Sequence, residues 1–163
     1  MSIFLPFEKL TYSTKLSREE ALAKLAENIA PEKPFGFGSS KTVSSKPYVG
    51  QCHGNAFNVK RAIGYRNSFL PMIKGEVISD TGGTKVHVTM RPSVFVLAFM
   101  AFWMTGVGVA CVVTIFSADQ QDVSFFSYIP FIMLLFGLGM LYGGFKIEAN
   151  IAKKDLARIF EAR

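Results

Sequence analysis

The sequence contains little of what catalytic and metal-binding sites are built from: it has two cysteines and two histidines in 163 residues. Cys52 and His53 are neighbours in a predicted strand, so their side chains point to opposite faces and cannot act as a nucleophile–base pair. Together with His87 they do not match the ligand spacing of a zinc site. The chain also lacks a P-loop and a dinucleotide-binding fingerprint. The sequence therefore predicts neither an enzyme nor a cofactor.

Charged residues are absent from two long stretches, residues 93–116 and 123–145. As a helix rising about 1.5 Å per residue, each stretch is long enough to cross a hydrocarbon layer about 30 Å thick. The sequence therefore predicts two transmembrane helices that form a hairpin. Because neither stretch carries a charge, nothing in them indicates a proton relay or an ion pathway.

Basic residues are also absent from the link between these stretches, which contains Asp119 and Asp122. All 18 lysines and arginines lie before or after the hairpin. The positive-inside rule then places both termini in the cytoplasm and residues 118–122 outside, with the hairpin in the cytoplasmic (inner) membrane. The first ten residues lack a basic head and contain Pro6 and Glu8, so they do not predict a signal peptide.

The net charge of +6 is explained by this topology, because the basic excess then faces the anionic inner leaflet. A nucleic-acid-binding surface would require basic residues clustered on one element together with aromatic platforms. No such cluster is evident in the sequence, so we do not expect nucleic acid as a partner.

The segment before residue 48 begins with a helix signature. Ser17 and Glu20 have the spacing of a capping box, and apolar residues follow at helical spacing up to residue 29. A Gly- and Ser-rich connector comes next. Residues 1–47 are therefore predicted to form an amphipathic helix and a flexible connector.

Residues 48–92 predict a small antiparallel sheet of four strands. Gly54-Asn55 and the stretch DTGG are typical hairpin turns, and the flanking residues alternate between apolar and polar. The helix before the sheet is expected to cover its apolar face.

The rest of the chain is predicted to be helical. Residues 93–145 form the transmembrane hairpin, and residues 146–163 form a cytoplasmic tail that continues the second helix and packs on the sheet. The predicted fold class is an α+β integral membrane protein: a small antiparallel cytoplasmic sheet with an amphipathic helix, a two-helix hairpin and a helical tail.

Small residues recur four positions apart within the hairpin: Gly106 and Ala110 in the first helix, Gly139 and Gly143 in the second. Such spacing lets helix backbones approach closely. We interpret these residues as helix-packing positions that join the two helices. The alternative is self-association or docking to another membrane protein.

The stretch YRNSFLP, which begins at Tyr65, places two polar residues among large apolar ones. In a structural interpretation, Tyr65, Phe69 and Leu70 hold this crossover against the core, while Arg66 and Asn67 satisfy backbone groups that the loop leaves unpaired. We expect the structural interpretation to dominate.

In the alternative interpretation, Arg66 reaches outward with nearby basic residues and binds an anionic lipid headgroup or the acidic surface of a partner. The candidate contact residues for such an anion or partner are Lys60, Arg61, Arg66, Asn67 and Arg91.

The stretches GYRNSFLPMIKGEV and GGTKVHVTMRPSVFVLAFMAFW resemble a family of small, uncharacterised bacterial membrane proteins with two spans. The resemblance covers roughly residues 48–105, and its specific part is Tyr65–Pro71. It implies a strand-rich segment followed by a pair of spans, and no chemistry. More distantly, the layout is similar to that of bacterial membrane proteins with pleckstrin-homology-like domains.

These observations predict a non-enzymatic, membrane-anchored interaction protein, an accessory or scaffold subunit of a larger membrane complex. Its expected partners are the lipid bilayer and another membrane protein or a second copy of itself. The alternative is a membrane-tethered cytoplasmic domain that senses an anionic lipid or another anionic ligand.

Overall fold

The computed structural model describes residues 6–31, 45–117 and 125–162. In chain order the elements are β1 (Glu8–Thr14), α1 (Arg18–Glu27), β2 (Ile29–Pro31), β3 (Tyr48–His53), β4 (Ala56–Arg61), β5 (Met72–Asp80), β6 (Gly83–Arg91), α2 (Val94–Ser117) and α3 (Ile129–Ile159), with a 3-10 turn at Phe125–Tyr128. The predicted external link at 118–122 and the Gly- and Ser-rich connector lie largely outside the described residues.

The strands form one sheet in the order β1-β6-β5-β4-β3-β2. The two hairpins expected from the sequence, β3–β4 and β5–β6, are confirmed. Gly54 and Gly82, in the two turns, have φ of +57° and +96°, where a residue without a Cβ avoids steric strain.

The prediction of a four-stranded, purely antiparallel sheet is wrong. β1 pairs antiparallel with β6, and the three-residue β2 pairs parallel with β3. Both added strands come from the segment before residue 48, so the boundary at 47/48 does not separate two structural units. β2 is too short to show a periodic pattern, and its pairing depends on the distant β3.

One face of the sheet is apolar and covered by helices. The alternation in β6 places Val86, Val88 and Met90 inward, as the sequence predicts, and each is at most 2% exposed. α1 packs there through Ala21 and Leu25, which are fully buried. The covering role expected of this helix is therefore confirmed.

The start of α1 has the predicted capping box. The Ser17 side chain accepts a hydrogen bond from the Glu20 amide at 3.2 Å, and the Ser17 amide donates to the Glu20 carboxylate at 2.8 Å. Two of the amides that a helix start leaves unpaired are thereby satisfied.

α3 is a single helix of 31 residues, about 46 Å long at the usual rise. Its second half covers the sheet: Phe145, Ala149, Ala152 and Leu156 are fully buried. These positions are spaced by three or four residues, so they form one stripe along the helix. The expected helical tail that packs on the sheet is confirmed, and it joins the apolar half of α3 without a break.

α2 and the chain from Phe125 to Ile159 are each long and apolar enough to cross a membrane. Large apolar side chains stay exposed along both, for example Phe95, Phe102, Leu135 and Phe136. Such surfaces are uncommon on soluble proteins and match a helix pair that faces lipid.

Candidate functional site at the junction of the sheet and the helices

The YRNSFLP crossover is fastened to α3 by Asn67. The Asn67 side-chain amide donates to the carbonyl of Gly144 at 2.9 Å, and its carbonyl oxygen accepts from the Phe69 amide at 2.9 Å. The first contact joins residues 77 positions apart in the chain. The part of the structural interpretation that concerns Asn67 agrees with this geometry, since the side chain satisfies two backbone groups.

Gly144 is the position on α3 where this crossover comes closest. A Cβ built on Gly144 would lie 3.0 Å from Phe69 Cβ and 3.3 Å from Asn67 Oδ1. Phe69 is buried, and Leu70 is half-buried. Glycine therefore lets the crossover pack directly on the helix backbone.

Tyr65 and Arg66 do not take the positions that the structural interpretation expects. Tyr65 is 59% exposed, so it does not hold the crossover against the core. Arg66 is exposed and forms no hydrogen bond or ion pair with any residue in the described part of the chain. The expectation that Arg66 satisfies backbone carbonyls is therefore not met, because Asn67 alone has that role.

Arg61 points inward rather than toward solvent. Its guanidinium pairs with the Glu148 carboxylate of α3, and Asp155 lies 3.9 Å from Arg61 Nε. The Glu148 side chain is only 1% exposed. A basic residue engaged with a buried carboxylate is not available to an external anion, so Arg61 belongs to the sheet–helix junction.

A second ion-pair cluster at the junction involves β1, which the sequence analysis did not identify. Glu8 pairs with Lys146, at 2.6 Å, and with Lys153. Burial by itself would raise the pKa of the Glu8 carboxyl, but the hydrogen bonds and charges of the two lysines outweigh it and hold that pKa below its usual range. Tyr12 lies on the same face of β1 as Glu8, and its hydroxyl donates a hydrogen bond to the Lys153 carbonyl at 2.9 Å.

Lys60 and Arg91 lie on the other face of the sheet, where none of the described strand residues has a buried side chain. Strand alternation places Lys9, Lys60, Lys74 and Arg91 on this open face, toward the end where β6 leads into α2. Lys9 and Lys74 both pair in register with Thr89. We call these four residues the basic patch.

Acidic residues on the open face lie farther from α2 than the basic patch. Glu76 is opposite His87, one step of the pleat beyond Lys74. Asp80 lies at the far end and pairs with Lys85 at 2.8 Å. The half of the open face nearest the apolar helices is therefore positively charged.

The proposed helix-packing residues do not join α2 to α3. A Cβ at Gly106, Gly139 or Gly143 would meet no described atom within 4 Å. The contact is made at Gly137 instead, where a Cβ would lie 3.0 Å from Met104 Cε and 3.5 Å from the indole nitrogen of Trp103. Ala110, with Gly106, lines an apolar cavity of about 230 Å³ between the helices. Self-association or docking through these residues stays a prediction.

The structure thus divides the candidate contact set into three groups. Arg61 and Asn67 fasten the sheet to α3. Lys60 and Arg91 belong to the basic patch. Arg66 stands with Tyr65 on the exposed side of the crossover. No protein-family model, curated protein or solved structure matches the chain, and the resemblance to small two-span membrane proteins stays a prediction.

Proposed function

We propose that the chain is a non-enzymatic protein of the bacterial cytoplasmic membrane, an accessory or scaffold subunit that presents its sheet to a partner. α2 and the first half of α3 are the transmembrane hairpin, and the sheet lies on the cytoplasmic side. The observation that carries the proposal is the open face, which holds the basic patch beside two apolar helices. Because α3 is unbroken, it fixes the orientation of the sheet relative to these helices.

The partner that this surface fits is the acidic surface of another membrane-associated protein. Complementary charge steers encounter and sets register at polar interfaces. The open face is polar and unlike a membrane-inserted surface, and its charges lie along strands that are held rigidly by the core. A rigid platform reduces the entropy lost on binding.

Charge reversal within the basic patch tests this proposal. After solubilisation in mild detergent, we expect the wild-type chain to copurify with a stoichiometric partner. Lys74→Glu combined with Arg91→Glu should lose that partner, because like charges then oppose each other. Lys154→Glu, an exposed change on α3 away from the sheet, should retain it. Wild-type protein that purifies alone, or equal loss in both variants, would contradict the proposal.

Thiol labelling tests the orientation of the hairpin. In a Cys52→Ala background, Gln120→Cys should react with a membrane-impermeant maleimide added to intact spheroplasts, because residue 120 lies in the link that carries no basic residue. Asn58→Cys, exposed on the open face, should react only after lysis. The reverse pattern would show that the sheet faces outward.

A further inference from the structure

We infer that Tyr65 and Arg66 form an interfacial anchor that binds the anionic headgroups of the leaflet from which α3 emerges. This inference rests on the proposed membrane hairpin and adds a second interaction surface, distinct from the basic patch. It commits to lipid headgroups as the ligand.

The depth of the crossover follows from its contact with Gly144. From Phe125 to Gly144 the chain is free of charge, and these 20 positions span about 30 Å as a helix, the thickness of the hydrocarbon layer. Lys146 is the first charge after them. Asn67 is bonded to the carbonyl of Gly144, so its neighbours Tyr65 and Arg66 lie at the boundary between hydrocarbon and headgroups.

The start of α2 gives the same depth independently. Arg91 is the last residue of β6, and α2 begins at Val94. Val94 and Phe95 are 64% and 82% exposed, as lipid-facing residues would be. β5, which follows the crossover, starts at Met72, directly opposite Arg91. The end of the crossover, where β5 starts, therefore lies at the level where α2 begins.

Tyr65 and Arg66 have side chains suited to the boundary between hydrocarbon and headgroups. Tyrosine is enriched at membrane interfaces, where its ring contacts acyl chains and its hydroxyl reaches water. Arginine offers a planar fork of donors that matches a phosphate. Arg66 has no competing acidic partner in the described part of the chain, in contrast to Arg61. Because Asn67 and Phe69 hold the crossover on α3, the Tyr65 and Arg66 side chains would already be positioned for the headgroups before lipid binds.

Depth-dependent fluorescence quenching in nanodiscs tests the location. A fluorophore on Ser68→Cys, an exposed position of the crossover, should be quenched by lipids that carry a spin label on the headgroup and protected from iodide. A fluorophore on Val113→Cys in α2 should be quenched by lipids labelled in the acyl chain. A fluorophore on Ser79→Cys, at the far end of β5, should be quenched by iodide alone. All three reporters are placed in a background without Cys52.

Retention of anionic lipid tests the charge. Arg66→Gln should retain about five-fold less phosphatidylglycerol on the detergent-extracted protein, as counted by mass spectrometry. This factor corresponds to the binding free energy that one basic residue contributes near an anionic leaflet. Arg158→Gln is the matched control. Arg158 lies 14 positions beyond Gly144, about 21 Å along α3 and farther than a Debye length at physiological salt, so retention should be unchanged.

The possible outcomes separate the two proposals. If Val113→Cys is quenched in the acyl region but Ser68→Cys is open to iodide, the anchor is refuted and the hairpin stands. Equal lipid retention in Arg66→Gln and wild type also refutes the anchor. If Val113→Cys is not quenched by acyl-labelled lipid, the membrane hairpin fails and the anchor fails with it.

Discussion

Replacing Arg61 with methionine is expected to destabilise the protein by about 3–5 kcal/mol, because it leaves the Glu148 carboxylate buried without its partner. The Glu148 side chain is 1% exposed, and its second carboxylate oxygen accepts no hydrogen bond from any described residue. Removing the carboxylate instead, in Glu148→Met, should cost less, since Arg61 is 19% exposed and Asp155 is close.

The double variant Arg61→Met with Glu148→Met should recover much of this loss. An ion pair taken out of water gains little over well-packed apolar side chains, whereas one unpaired buried charge costs much. Thermal unfolding in detergent would measure all three variants. Arg18→Met is the control, because its pair with Glu19 is exposed and should contribute little to stability. A double variant as unstable as Arg61→Met would contradict this prediction, because removing the Glu148 carboxylate would then recover no stability.

Gly144→Ile is expected to lower the melting temperature strongly, whereas Gly143→Ile, one position earlier, should not. A side chain at Gly144 would collide with Phe69 and displace Asn67 from the Gly144 carbonyl, while a Cβ at Gly143 meets nothing within 4 Å. Overpacking a well-ordered contact typically costs about 1–3 kcal/mol, and the displaced hydrogen bonds add to it. The GxxxG spacing alone would have ranked these two glycines the other way.

The comparison is informative because both variants place the same residue in the same helix. Differences in helix propensity therefore cancel, and only the contacts differ. The same comparison can be made in the apolar half of α3. Gly137→Ile should weaken the α2–α3 contact at Met104, whereas Gly139→Ile should leave it intact. Equal melting temperatures for Gly143→Ile and Gly144→Ile would contradict the packing of the crossover on α3.

Features with a local pattern were predictable. The capping box at Ser17, the hairpin at Gly54-Asn55, and the apolar face of β6 all depend on residues within a few positions of one another, where backbone geometry relates spacing to side-chain direction. The two apolar helices follow from the absence of charge over a sufficient length. β1 also alternates, with Leu10 and Tyr12 on its less exposed face, so this strand too has a local pattern.

Features that join distant parts of the chain were not predictable. Strand alternation places Arg61 on the same face as Phe57 and Val59, but its partner Glu148 lies 87 positions away in the chain. Glu8 and Lys146, 138 positions apart, are a similar case. Which glycine packs closely was decided by the rotation of α3 against the crossover, and a repeat of four residues contains no information about that rotation.

The sequence by itself determined where the helices and four of the six strands form and which stretches are apolar enough for a membrane, because these properties depend on periodicity, capping and local charge. Only the tertiary structure decided that the segment before residue 48 completes the sheet, that Asn67 rather than Arg66 fastens the crossover, and that Arg61 pairs with Glu148 of α3. The physical reason is that burial and pairing are set by which surfaces meet, and neighbouring residues of one strand necessarily meet different ones.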